Sequence, residues 1–188
     1  MPELPEVQTV VNDLNRKVAG RKIVGLWFDW PKALKDPLDQ QKDKIAHTHV
    51  EVFKKTIIGK KILRAKRRAK NILIYLSGGY MMLVHQKMTG HLLVGKWKIT
   101  ANKPKAIEPA EMVTDSYNGY IHLIFYLDDG RMLALSDLRK FAKVLLGTVE
   151  QIENLKELKE LGPEPLNVKF KFEDFVKVVP FERLILPA

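Results

Sequence analysis

At the start of the chain apolar residues recur every three to four positions, at Val7, Val10, Val11, Leu14 and Val18. That spacing puts them on one face of a helix, which the sequence predicts over residues 5–17 and closes at Gly20. The apolar stripe is most simply core. Beyond it the pattern shortens to strand-length runs bounded by turn residues. Residues 21–30 carry Ile23, Val24, Leu26, Trp27 and Phe28 and read as a strand. Residues 31–49 are polar and Lys-rich, include Pro31 and Pro37, and read as a loop with a short helix. Residues 50–58 lead to a turn at Gly59, and a strand starts at Lys60. Residues 72–76 and 80–85 flank Gly78 and Gly79 as a β-hairpin. Residues 96–114, with Pro104 and Pro109, read as a long surface loop. A second hairpin joins residues 122–127 to 131–136 through Asp128, Asp129 and Gly130. A helix is predicted over 150–160, and residues 172–179 begin one more. Pro180 and Pro187 bracket a short apolar end.

Length and composition narrow the classes. A chain of 188 residues forms one large domain, or one domain and part of another. Hydrophobic residues make up 46%, enough for a packed core. No apolar run approaches the ~18 residues of a membrane span, and the acidic, proline-containing start is unlike a secretion signal. An intracellular protein is the expectation. With no cysteine, disulfides and Cys-ligated zinc are excluded for this chain. His47 and His49 have no partners at metal-ligand spacing and read as surface or core histidines.

Charge changes the picture more. The net charge is +10 and the pI about 9.7, which suits a polyanion, most commonly nucleic acid. Arg64, Lys66, Arg67, Arg68 and Lys70 put five cations in seven residues, directly before an apolar strand. A charge run is usually a solvated face. This density beside a hairpin makes the five residues candidate phosphate contacts.

The candidate chemistry lies in the first seven residues, M-P-E-L-P-E-V. A small second residue favours removal of Met1. Pro2 would then carry a secondary amine with a pKa of roughly 8, partly neutral at pH 7 and nucleophilic toward a sugar aldehyde carbon. Glu3 beside it is placed to act as a general acid. The plainer reading is that Pro5, Glu3 and Glu6 simply start a helix.

P-E-L-P-E-V resembles the opening signature of the bacterial formamidopyrimidine-DNA glycosylase family and its endonuclease VIII relatives. Further stretches are similar. R-R-A-K before residues 71–76 resembles the family's R-R-x-K strand entry, which implies that Lys70 lies in the active site and contacts the lesion's phosphate. H-Q-K-M-T-G resembles H-L-G-M-S-G. It implies that His85 sits at a phosphate and that Met88 fills the gap left by an everted nucleotide. Gln86 and Lys87 depart from the family's Leu and Gly, with consequences for the loop backbone. D-L-R-K-F resembles D-P-R-R-F, which assigns Arg139 to the base opposite the lesion and Phe141 to a wedge. Leu138, Lys140 and Ala142 depart from Pro, Arg and Gly. L-G-P-E-P-L at 161–166 matches the family's linker.

The resemblance covers about residues 1–166. It implies an α+β, predominantly β fold: a two-layered β-sandwich flanked by helices over 1–149, with a linker and the start of a helical region over 150–188. The family's helix–two-turn–helix, with its G-N-I-Y motif, and its four-cysteine zinc finger have no counterpart in this sequence. The expectation is a fragment or a natural short form.

By resemblance the function is base excision, expected to be impaired in this short chain. Oxidised purines such as 8-oxoguanine and formamidopyrimidines are cut from duplex DNA, and abasic sites are nicked. Pro2 is the nucleophile, Glu3 the acid, Glu6 and Lys70 support the site, and no metal or cofactor takes part. Arg64, Lys66, Arg67, Arg68, His85, Met88, Arg139 and Phe141 are the expected DNA contacts. The implied setting is a monomer in the bacterial cytoplasm, at the nucleoid. The competing expectations are a DNA-binding remnant without catalysis and a basic, RNA-facing structural protein.

Overall fold

A computed structural model describes residues 2–37, 47–164 and 171–178. Met1, residues 38–46 of the expected polar loop, Pro165 and Leu166 of the linker motif, and the end with Pro180 and Pro187 lie outside the described residues. In chain order the elements are α1 (Leu4–Lys17), β1 (Ile23–Phe28), β2 (Leu34–Lys35), α2 (His47–Ile57), β3 (Ile62–Arg68), β4 (Asn71–Leu76) and β5 (Tyr80–His85). Then come β6 (Gly90–Thr100), β7 (Lys103–Glu108), α3 (Ala110–Val113), β8 (Ile121–Leu127), β9 (Met132–Asp137), β10 (Lys143–Thr148), α4 (Val149–Glu153), α5 (Lys156–Lys159) and α6 (Phe172–Val178). Single 3-10 turns lie at Pro31–Ala33 and Ser116–Tyr120.

The strands form two five-stranded sheets, in the orders β1-β8-β9-β6-β7 and β2-β10-β5-β4-β3. Side chains alternate across each strand. Ile72, Ile74, Met82, Val84, Val144, Leu123, Phe125, Leu133 and Leu135 point inward and form the core between the layers. Their neighbours point outward but stay covered. Leu73, Met81, Leu83 and Leu145 pack under Ile152, Leu155 and Leu158 of the 149–161 segment. Trp97, Ile124 and Ala134 form a third cluster on the outside of the first sheet. Double coverage is why residues 72–76 and 80–85 read as continuous apolar runs. The sandwich is the fold class expected from the sequence.

Helix α1 lies against β3, an edge strand. Val7, Val11 and Leu14 enter the core. Asn15 covers the open edge, donating from Nδ2 to the Ala65 carbonyl (3.0 Å) and accepting the Ala65 N–H at Oδ1 (2.7 Å). One side chain thus takes the two backbone groups that an unpaired edge leaves open.

The structure corrects three sequence expectations. Residues 96–114 are not a surface loop. β6 runs on to Thr100, pairs with β7, and α3 follows. Pro104 was misleading, because β7 ends its sheet and an edge strand tolerates proline. The helix expected over 150–160 is two short helices, α4 and α5, separated at Asn154 and Leu155. Breaking there lets Ile152, Leu155 and Leu158 all reach the sheet. β10 has no counterpart among the strands read from sequence, although it joins β5 to β2. The boundary expected at 149/150 falls at the first residue of α4, which packs on the sandwich. Among the described residues no helix is long and apolar enough to cross a membrane.

Candidate functional site

Strand register gathers the expected site residues at one end of the sandwich. His85 pairs with both Asn71 and Lys143, and Gly90 pairs with Asp137. The 69–70 turn, the 86–89 loop and the 138–142 loop therefore emerge side by side. The start of α1 joins them. Lys70 Nζ lies 3.2 Å from Glu3 Oε1, across 67 positions of sequence. Glu3 caps α1, and its N–H donates to the Glu6 carboxylate at 2.9 Å. Glu6 thereby fixes the backbone of the residue that follows Pro2, which is itself half-buried. This capping box satisfies the ordinary helix-start reading and also anchors the candidate acid.

The two wedge loops meet. Arg139 Nη1 donates to Met88 Sδ at 3.0 Å, and the Arg139 guanidinium lies 4.5 Å from the centre of the Phe141 ring. Met88, Leu138 and Phe141 are each about half exposed despite being apolar. Such side chains held out at loop tips suit insertion between bases.

Asp137 holds both loops in place, a role that sequence reading did not give it. Its carboxylate is fully buried. Oδ2 accepts the N–H groups of Phe141 and Ala142 at 2.7 Å, and Oδ1 accepts that of Arg139 at 3.2 Å. Oδ1 also accepts the Thr89 hydroxyl from the other loop, and Thr89 Oγ1 accepts the Arg139 N–H at 3.1 Å. The signal was an Asp opening a turn, where its side chain commonly binds the following backbone.

His85, expected at a phosphate, is held neutral. Burial, then the nearby Lys87 and Lys143, push its pKa down to about 4. The Lys87 N–H donates to His85 Nδ1 at 3.0 Å, so the ring proton resides on Nε2, the nitrogen able to donate to a phosphate.

Arg67 and Arg68, expected DNA contacts, meet protein partners. The Arg67 side chain is 4% exposed. It pairs with Glu164 (2.5 Å), donates to Gln8 Oε1 (3.1 Å) and reaches the Ala69 carbonyl (3.1 Å). Arg68 donates to the carbonyls of Leu161 and Gly162, both at 2.9 Å. Glu164 also accepts the Ala69 N–H at 2.5 Å. These two arginines tie the 161–164 segment to the turn that carries Lys70. Glu164 was invisible as a partner because nearly a hundred residues separate it from them. Arg64 and Lys66 remain exposed and flank the Tyr75 ring, at 4.7 and 5.8 Å from its centre.

His49 approaches Asp36 at 3.6 Å. The His47 side chain lies outside the described residues. Among the described residues no group of three or more His, Cys, Asp or Glu is placed to hold a metal ion.

Residues 1–144 match the formamidopyrimidine-DNA glycosylase N-terminal domain. The chain belongs to this family.

A formamidopyrimidine-DNA glycosylase from Pelotomaculum thermopropionicum is 37% identical over 173 residues, which are 92% of this chain and 53% of that protein. One from Herpetosiphon aurantiacus is 36% identical over 94% of this chain and 55% of its own length. Lactococcus lactis Fpg, solved in complex with DNA containing an abasic site, is similar with a TM-score of 0.66 at 25% identity, over 93% of this chain and 52% of that one. MutM in complex with DNA containing carbocyclic 8-oxo-G gives the same TM-score and identity, over 93% and 53%. The chain spans about half the length of the curated relatives it matches.

Membership in the formamidopyrimidine-DNA glycosylase family makes the sequence departures informative. Lys87 stands where the family pattern has Gly, yet it adopts φ +56°, a left-handed conformation that Gly enters without strain. Lys140, at φ +56°, and Ala69, at φ +48°, do the same in the other two site loops. Each such residue costs of order 1 kcal/mol, supplied by the surrounding contacts. Gly90 is less replaceable, since a Cβ there would come within 2.4 Å of the Gln86 carbonyl oxygen.

Proposed function

We propose that the chain carries the catalytic half of a base-excision DNA glycosylase and abasic-site lyase acting on oxidised purines in duplex DNA. The observation that carries the reading is the convergence, at one end of the sandwich, of Glu3 and Lys70 with the Met88, Arg139 and Phe141 wedge. A nucleophile-and-acid pair needs the damaged nucleotide outside the stack, and a wedge beside it supplies that. With Met1 removed, the neutral Pro2 amine attacks C1′ of the sugar. Glu3 protonates the ring oxygen, the C1′–O bond opens, and the base leaves with its bonding pair and takes up the proton that the amine sheds as the C1′ iminium forms. The resulting iminium acidifies the C2′ proton. Its loss expels the 3′ phosphate, and a second elimination expels the 5′ phosphate. Lys70 holds Glu3 and faces the lesion's phosphate, while neutral His85 donates from Nε2 to another. Amine and carboxyl groups suffice for these steps. The setting is the bacterial cytoplasm, at the nucleoid, and the working unit is a single chain.

Borohydride reduction on abasic-site DNA tests the reading. Trapping is expected at the N-terminal peptide lacking Met1, and protein that retains Met1 should not trap. An adduct on a lysine with Pro2 unmodified overturns the assignment. Binding without any trapping marks a DNA-binding module instead.

A further inference from the structure

On the far side of the wedge from Glu3 and Lys70 lies a cavity of about 460 Å³. Trp30, Lys32, Lys35, Lys87, Lys140 and Phe141 line it, as does Lys143, which pairs with Glu157. No carboxylate is among its lining residues. Acids near them in sequence have partners of their own: Asp29 lies 2.7 Å from His122, Asp36 lies 3.6 Å from His49, and Asp137 accepts loop N–H groups. The lysines come from three separate stretches, so no charge run announces them.

Sheet order fixes where the cavity lies. Across the site end of the second sheet the sequence is the 69–70 turn at β3 and β4, the 86–89 loop leaving β5, the 138–142 loop entering β10, and β2 with Lys35. At about 4.8 Å per strand the first and last are roughly 14–19 Å apart, wider than either groove of B-form DNA. The wedge loops stand between them. A wedge that fills the gap of an everted nucleotide has the damaged strand on one side and its partner strand on the other.

We infer that this lysine pocket receives the phosphodiester backbone of the strand opposite the lesion. Lys32, Lys87 and Lys140 neutralise its phosphates, and the Trp30 and Phe141 rings border a sugar or base. The inference rests on the DNA reading above and adds a second strand-specific contact to it.

The test is a fluorescence-anisotropy titration across a salt series, using a duplex with an abasic-site analogue in one strand and that strand alone. The variant is Lys32→Gln with Lys140→Gln, both exposed side chains. At about 0.9 per phosphate contact, losing two contacts lowers the duplex salt slope by about 1.8. The affinity advantage of the unmodified chain should then be about tenfold larger at 50 mM than at 200 mM salt. Affinity for the single strand should stay within about twofold, and Lys32→Arg with Lys140→Arg should restore the duplex slope. Equal losses on both DNAs mean that the pocket follows the damaged strand, which overturns the inference. Unchanged duplex binding also overturns it while leaving the DNA reading intact. If the unmodified chain fails to bind duplex at low salt, both fall.

Discussion

Two cationic regions of this molecule invert what their sequences suggest. The 64–70 run is the denser, yet Arg67 and Arg68 direct donors to Glu164, Gln8 and the carbonyls of Leu161 and Gly162. Lys32, Lys87 and Lys140 are scattered over more than a hundred positions, yet they converge on a cavity with no carboxylate in its lining. Charge density along a chain is therefore a poor guide to charge available to a ligand. What decides is the partner that the fold brings to each cation. A nearly buried guanidinium needs a carboxylate, whereas exposed lysines such as Lys32 and Lys140 keep their heads in water.

The largest test of this contrast removes the partner. Glu164→Ala leaves Arg67 buried without its counter-ion and should cost about 4 kcal/mol of unfolding free energy, read as a lower urea midpoint. If Arg67 were instead a phosphate ligand held in reserve, the variant would keep its stability and bind duplex DNA more tightly. Next is Asp137→Asn, which cannot satisfy three backbone N–H groups and the Thr89 hydroxyl together. It should cost about 3 kcal/mol and loosen both wedge loops. Fast hydrogen exchange confined to residues 86–89 and 138–142 would show the loosening. Unchanged protection would mean that the loops stand without their shared carboxylate.

A smaller effect follows from His85. Its pKa is about 4 in the folded chain against 6.5 unfolded. Between those values the unfolded state binds the extra proton, so the contribution is complete above pH 6.5 and is lost as pH falls toward 4. Allowing for its remaining exposure, the loss is about 2 kcal/mol. His85→Gln should flatten stability across that window relative to the unmodified chain, and parallel curves would place a charged imidazole there. The smallest effect is expected for Lys66→Ala. Stability should change by less than about 0.5 kcal/mol, while the duplex salt slope falls by about 0.9 if Lys66 meets a phosphate. An unchanged slope would leave Lys66 as a solvated neighbour of Tyr75.

The sequence by itself determined the elements whose pattern is local. The stripe from Val7 to Leu14 specified α1, and the glycine-bounded runs specified the β4–β5 and β8–β9 hairpins. Both periods are written in neighbouring residues. It also marked Pro2, Glu3, Lys70, Met88, Arg139 and Phe141 through short motifs. Tertiary structure alone decided which of them meet and which charges are spent. Lys70 reaches Glu3 across 67 positions and Arg68 reaches Glu164 across 96, and no local spacing encodes such pairs. The same holds for β7, whose polar residues become a strand because β6 lies beside it, and for His85, whose charge is set by burial. Local pattern chooses the element and its inward face. Only packing chooses the partner, because hydrogen bonds, ion pairs and desolvation act between groups that are close in space wherever they lie along the chain.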